Sequence, residues 1–208
     1  MSTGATKLNG TSYYYVVSVA NGVGESANSG QVSATPTNRP PLLAPIADQT
    51  ISAGRSMVVT NSVNDADGPQ PLVYRLVTAP AGVSINTNSG LILWRPAIAQ
   101  SPGHHSVVVV VSDAGVPMMS ATQSFWVTVN PPVPPVLSLS HLTNHTLRFL
   151  VSGDAGPDYI VQTSTNLNSG SNWVNYFTTN SPPLPFSFLA PADTLVPQQF
   201  YRIQLGPE

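Results

Sequence analysis

The chain has 208 residues, of which 8% are charged, and a net charge of −2, well below the roughly 25% charged residues of ordinary soluble domains. With Lys7 as the single lysine beside six arginines, no basic patch can neutralise a run of phosphates, which excludes nucleic acid and anionic membrane as expected partners. Cysteine is absent, so disulfides, thiolate metal sites and a cysteine nucleophile are excluded as well.

Short runs rich in Val, Ile, Thr, Tyr and Phe recur between Gly, Pro, Asn and Asp clusters, without a 3.6-residue period, and this pattern predicts an all-β chain. The longest aliphatic run, Val107 to Val111, is far short of the ~20 residues needed to span a bilayer, so membrane insertion is not expected. The proline-rich stretches Pro36 to Pro41 and Pro131 to Pro135 favour extended polyproline geometry and cannot lie in a central strand. They predict units at 1–37, 41–130 and 135–208, with the second stretch holding the two larger units apart as a semi-rigid spacer.

In the first unit, Tyr13 to Ala20 reads as a strand and Gly30 to Thr35 as its return, across a loop at Asn21 to Ser26. The passage "LNGTSYYYVVSVANGVGESANSGQVSATP" resembles the last two strands of a fibronectin type III domain. That resemblance implies a truncated hairpin whose earlier strands lie upstream. An isolated hairpin is marginal in water, so this unit is expected to be loosely ordered or to borrow cover from a neighbour. Ser2 to Gly10 is polar and lacks the apolar core of a secretion signal; any such signal is expected upstream.

From Pro41 to Asn130 seven strands are predicted: Ala44 to Ile51, Arg55 to Ser62, Pro71 to Thr78, Val83 to Ile85, Leu91 to Trp94, His105 to Asp113 and Ala121 to Val129. The blocks "LAPIADQTISAG", "VNDADG", "PAGVSINTNSGLILWRP" and "VVVVVSDAGVP" resemble the cadherin-like, immunoglobulin-type repeats of large bacterial surface and secreted proteins. In the last unit, strands are predicted at Val136 to Ser140, Thr146 to Ser152, Tyr159 to Thr165, Trp173 to Thr179, Pro185 to Leu189 and Phe200 to Leu205. Its pattern "FLVSGDAGPDYIVQTSTNL", closing on "FYRIQLGP", resembles a small C-terminal β-sandwich of exported proteins in the Verrucomicrobia and Planctomycetes lineage. The expected fold is therefore all-β, with tandem immunoglobulin-like β-sandwiches preceded by a truncated fibronectin type III hairpin.

Catalytic chemistry fails by counting. The only glutamates are Glu25, in a hairpin loop, and Glu208, the final residue, whereas ordinary glycoside hydrolysis needs two carboxylic acids across a cleft. No G-x-S-x-G, H-E-x-x-H or P-loop pattern occurs. His104 and His105 are adjacent and point to opposite faces of a strand, so they cannot address one ion together.

The cadherin-like resemblance implies one cation site, a calcium held by Asp65, Asp67 and Asp113. Ala53 and Pro69-Gln70 stand where such repeats often carry acids. Three carboxylates fall short of the six to eight oxygens calcium prefers, and the favoured alternative is that Asp65 and Asp67 cap a turn through their own backbone. No cofactor is required by this reading.

Alternation in the sixth and seventh strands of the middle unit puts Val107, Val109 and Val111 inward and leaves Val108 and Val110 outward. With Trp126 beside them, these would form an apolar interaction surface. Trp94 and Trp173 are the candidates for sugar stacking, with core packing the commoner fate of a sandwich tryptophan. Together these features predict a non-catalytic spacer, adhesion or interaction module, extracellular or at the cell surface, from a larger bacterial protein. Its partners would be proteins, cell-surface polysaccharide or the parent's upstream domains. The alternative is a carbohydrate-binding accessory module of a secreted polysaccharide-degrading enzyme.

Overall fold

Strand-forming residues dictate an all-β architecture, and it is observed. The computed structural model describes residues 7–143, 145–167, 172–192 and 197–206, among which the only helical element is the single 3-10 turn Ile98–Gln100.

The N-terminal unit holds β1 (Tyr13–Tyr15), β2 (Ala20–Asn21), β3 (Gly24–Glu25) and β4 (Val32–Ala34). β1 pairs antiparallel with β4, Tyr14 opposite Ser33, and β2 with β3. The continuous strand expected from Tyr13 to Ala20 is interrupted for a local reason. The N–H groups of Val17 and Val19 donate to the hydroxyls of Ser29 and Ser26, each at 3.0 Å, so serine side chains stand in for ladder carbonyls.

The middle unit contains β5 (Leu42–Leu43), β6 (Gln49–Ser52), β7 (Met57–Val59), β8 (Val63–Asn64), β9 (Val73–Thr78), β10 (Ser84–Ile85), β11 (Ile92–Trp94), β12 (Gly103–Ser112) and β13 (Ser120–Asn130). The first expected strand, Ala44 to Ile51, begins only at Gln49 as β6, past Pro45, which has no N–H to donate, and β5 ahead of it is not among the expected strands. Before Pro45, β5 pairs antiparallel with β8; after it, β6 crosses to the other layer and runs parallel to β13. The layers are a sheet of order β10-β11-β7 and a four-stranded sheet of order β6-β13-β12-β9, with β5-β8 a separate two-stranded pair. Between them lie Met57, Val59, Tyr74, Ile92, Trp94, Val107, Val109, Val111, Phe125, Val127 and Val129, all buried. This is an immunoglobulin-like sandwich, its inner faces set by alternation along each strand.

The C-terminal unit is a second sandwich, of β14 (Val136–Thr143), β15 (Thr146–Ser152), β16 (Tyr159–Ser164), β17 (Val174–Thr178), β18 (Phe186–Pro191) and β19 (Phe200–Leu205). Its sheets have the orders β14-β15-β18 and β17-β16-β19. Aromatic rings fill the gap: Phe149 lies 5.1 Å from Phe188 and 4.7 Å from Tyr201, centroid to centroid. Rings at these separations add about 0.5–1.5 kcal/mol per pair beyond the burial itself.

Candidate functional site

Two networks of polar side chains join the units where they meet, one at Asn38 and one at Arg95. The linker residue Asn38 is buried, with 7% of its surface exposed, and it connects the N-terminal and middle units. Its amide nitrogen donates to Asp113 Oδ2 and to the Pro117 carbonyl, both at 2.8 Å, and its Oδ1 accepts from Asn9 Nδ2 at 3.1 Å. Gly115 makes room for this insertion: a Cβ there would lie 2.2 Å from Asn38 Cγ. Asp113 sits just past the end of β12, 3% exposed, and its Oδ1 accepts N–H groups from Met119 at 2.8 Å and Gly115 at 3.1 Å. Burial pushes its pKa up, but the hydrogen bonds from Met119, Asn38 and Gly115 outweigh it and hold the carboxyl below the usual carboxylate range.

Of the expected calcium ligands, Asp113 and Asp67 accept hydrogen bonds from the linker residues Asn38 and Arg39, while Asp65 is held within its own turn. Asp67 Oδ2 accepts the N–H of Arg39 at 2.6 Å. Asp65 Oδ1 accepts the N–H of Asp67 at 2.9 Å, and its Oδ2 accepts Gln70 Nε2 at 2.7 Å. Five carboxylate oxygens thus have donors. Among the described residues, no group of three or more His, Asp or Glu side chains gathers where it could hold a metal ion.

The apolar surface expected on the middle unit needs correction. Val110 is buried, 5% exposed, although it lies on the outer face opposite Thr122 and Arg75. The hairpin register sets Trp126 opposite Ser106. There its ring stacks on His104, 5.4 Å between centroids, rather than over a valine stripe. His105 Nε2 is 2.9 Å from the Gln100 carbonyl, and its ring meets Trp94 edge-on, so the two histidines do point apart.

Trp94 cannot stack on a sugar either. It is 2% exposed, within the core, and its Nε1 donates to the Ala81 carbonyl at 3.1 Å. Trp173 is half-buried, and the Arg202 guanidinium covers one face at 4.4 Å from the ring centroid.

The second junction rests on Arg95, which the sequence analysis did not single out. Its Nε donates to the Gly54 carbonyl at 2.8 Å inside the middle unit. Its Nη2 lies 2.7 Å from the Gly156 carbonyl, 3.0 Å from Asp158 Oδ1 and 2.8 Å from Ser181 Oγ, all in the C-terminal unit. The linker does not hold these units clear of one another: a Cβ on Gly156 would meet the Gly54 carbonyl at 2.9 Å.

Fold and junctions together define a chain of immunoglobulin-like β-sandwiches coupled in series. Residues 40–130 match the sequence family described as "Putative Ig domain". No curated protein matches the chain significantly. Among similar solved structures is a nucleoside hydrolase-related hypothetical protein from Saccharophagus degradans, associated with carbohydrate metabolism, at 20% identity and TM-score 0.36 over 45% of this chain and 26% of that one. Mouse cadherin-23 EC22-24 is similar at 23% identity and TM-score 0.39, over 57% of this chain and 42% of that one. Human CDH23 EC21-23 is similar at 13% identity and TM-score 0.41, over 80% of this chain and 72% of that one. The chain spans about a quarter of the first and under half of the second.

Proposed function

We propose that the chain is a non-catalytic extracellular spacer and interaction module of a larger secreted or cell-surface bacterial protein. The observation that supports this is the structured linker: Asn38 is buried between units and bonds to Asn9, Asp113 and Pro117, so the units are coupled through it. A chain built to transmit position needs such joints, whereas a flexible tether would leave its linker solvated. The surface suits this role, because hydroxyls and amides supply solubility while charge, at 8% of residues, is sparse. The partners are proteins, cell-surface polysaccharide or the other domains of the parent.

The carbohydrate-binding alternative loses Trp94 to the core and keeps Trp173 with one face taken by Arg202. A glycan array probed with the whole chain separates the two readings, with no saccharide retained as the expected result. Saccharide binding abolished by Trp173→Ala would establish the accessory-module reading instead. An antibody to the chain is expected to label intact cells of the producing organism, and staining only after lysis would remove the extracellular assignment.

A further inference from the structure

The contacts of Arg95 form a closed network with an anchor in each unit. On the middle unit, Arg95 follows directly on β11, whose Trp94 is in the core, and its Nε is fixed by the Gly54 carbonyl in the turn between β6 and β7. On the C-terminal unit, Asp158 immediately precedes β16, and its carbonyl accepts the N–H of Gly206 just after β19 at 2.8 Å. Asp158 Oδ1 receives both Arg95 Nη2 and the N–H of Ser181 at 2.9 Å, and Ser181 Oγ donates to the Gly156 carbonyl at 2.6 Å. Ser181 is held at φ 39°, a left-handed conformation that few non-glycine residues adopt.

The same C-terminal loop bears on the linker from its other side. Asp154 Oδ2 accepts the N–H of Val133 at 2.8 Å. Gly156, at φ 122°, lies against Gly54 and Arg55 too closely for any side chain. The sandwiches are thus connected twice, once covalently through Pro131 to Pro135 and once through Arg95, and a body held at two separated points loses a bending freedom that one attachment would leave.

We propose that Arg95 is a pin that sets the angle between the middle and C-terminal sandwiches, and that releasing it converts a stiff joint into a hinge. The inference rests on the spacer reading, since an orientation matters only where the chain transmits position. The pair is partly solvated, with side chains 30% and 16% exposed, so salt reaches it. Salt therefore weakens the contact to Asp158 but not the hydrogen bonds to neutral acceptors, the Gly54 and Gly156 carbonyls and Ser181 Oγ, so loss of the side chain, more than ionic strength, releases the pin.

The absence of native cysteine allows two to be introduced for spin labels, Asn88→Cys in the middle unit and Thr178→Cys in the C-terminal unit, both exposed. Pulsed dipolar distances on the whole chain are expected to give one narrow peak. That peak should be lost in Arg95→Met and partly kept in Arg95→Lys, which preserves the charge but not the fork. Asp158→Asn and salt at about 1 M, where the Debye length falls to about 3 Å, should broaden it less than Arg95→Met, because they reach only the ionic contact. Melting of both units is to be followed alongside; with Arg95→Met the C-terminal unit should not move, and the middle unit should lose only the bond to the Gly54 carbonyl and stay folded. An unchanged narrow peak in Arg95→Met, or a broad one already in the parent chain, would overturn the pin. Because the readout is a distance and not binding, that failure leaves the spacer reading standing, whereas a positive glycan array would remove the reading with the pin intact.

Discussion

Asn38 and Asp113 show how much of a junction can depend on two polar side chains. With Asn38 shortened to alanine, Asp113 Oδ2 and the Pro117 carbonyl lose a buried donor, a loss that costs about 1–3 kcal/mol. Urea denaturation of the whole chain should show that loss for Asn38→Ala, and a similar one for Gly115→Ala, whose new methyl would collide with Asn38. The ionisation of Asp113 adds a pH signature. Its folded pKa is depressed below the unfolded value of about 3.9, so its contribution is present above that pH and is lost as pH falls through the folded value. The melting temperature should therefore fall as the pH drops below about 4, less steeply in Asp113→Asn. Calcium at millimolar concentration should leave it unmoved, since five of the six carboxylate oxygens of Asp65, Asp67 and Asp113 already have donors; a rise of several degrees that Asp67→Ala removes would restore the cation reading. The aspartates were legible in the sequence because D-x-D-G and S-D-A-G are distinctive. The partner of Asp113 was not, because an asparagine between prolines is an ordinary linker residue.

At the scale of elements, the β12–β13 hairpin separates burial from exposure on a single strand. Phe125 is 2% exposed in the core and its neighbour Trp126 is 48% exposed, against His104. Removing the buried ring leaves a cavity worth about 3–5 kcal/mol, whereas removing the outer one forfeits about 0.5–1.5 kcal/mol of stacking. The urea midpoint should therefore drop several-fold further for Phe125→Ala than for Trp126→Ala, and equal losses would mean that Trp126 is covered in solution. The inward face of this hairpin could be read from alternation alone. Its outer face could not: Val110 is covered by its cross-strand neighbourhood, a consequence of register and bulge that a period of two does not contain. The strand breaks divide likewise. Pro45 is a breaker that the strand expected from Ala44 to Ile51 runs through, while the break after Tyr15 depends on Ser26 and Ser29 facing Val19 and Val17, a pairing visible only once the chain has folded back.

Across the whole molecule, stability should be graded along the chain, lowest in the N-terminal unit. There the β1–β4 ladder pairs only Tyr13–Tyr15 with Val32–Ala34. Tyr14, Val17, Val19 and Val32 remain 64%, 68%, 70% and 63% exposed, so the ladder has little apolar cover. Two-stranded sheets of this kind are marginal on their own, and this one is attached to the rest through Asn9 to Asn38 and through the close approach of Gly10 to Val116. β12, by contrast, is paired on both sides and buries Val107, Val109 and Val111 completely. Amide hydrogen exchange measured on a monomeric sample should thus be fast at Tyr13–Tyr15, through local opening, and slow at Val107 to Val111, near the global limit. Asn38→Ala should accelerate the first set further, because it removes the acceptor of Asn9, and should leave the relative protection of β12 within its own unit unchanged. Protection at Tyr13–Tyr15 equal to that of β12 would show that the exposed valines and tyrosines are covered in solution by a surface that the hairpin and its two attachments do not supply.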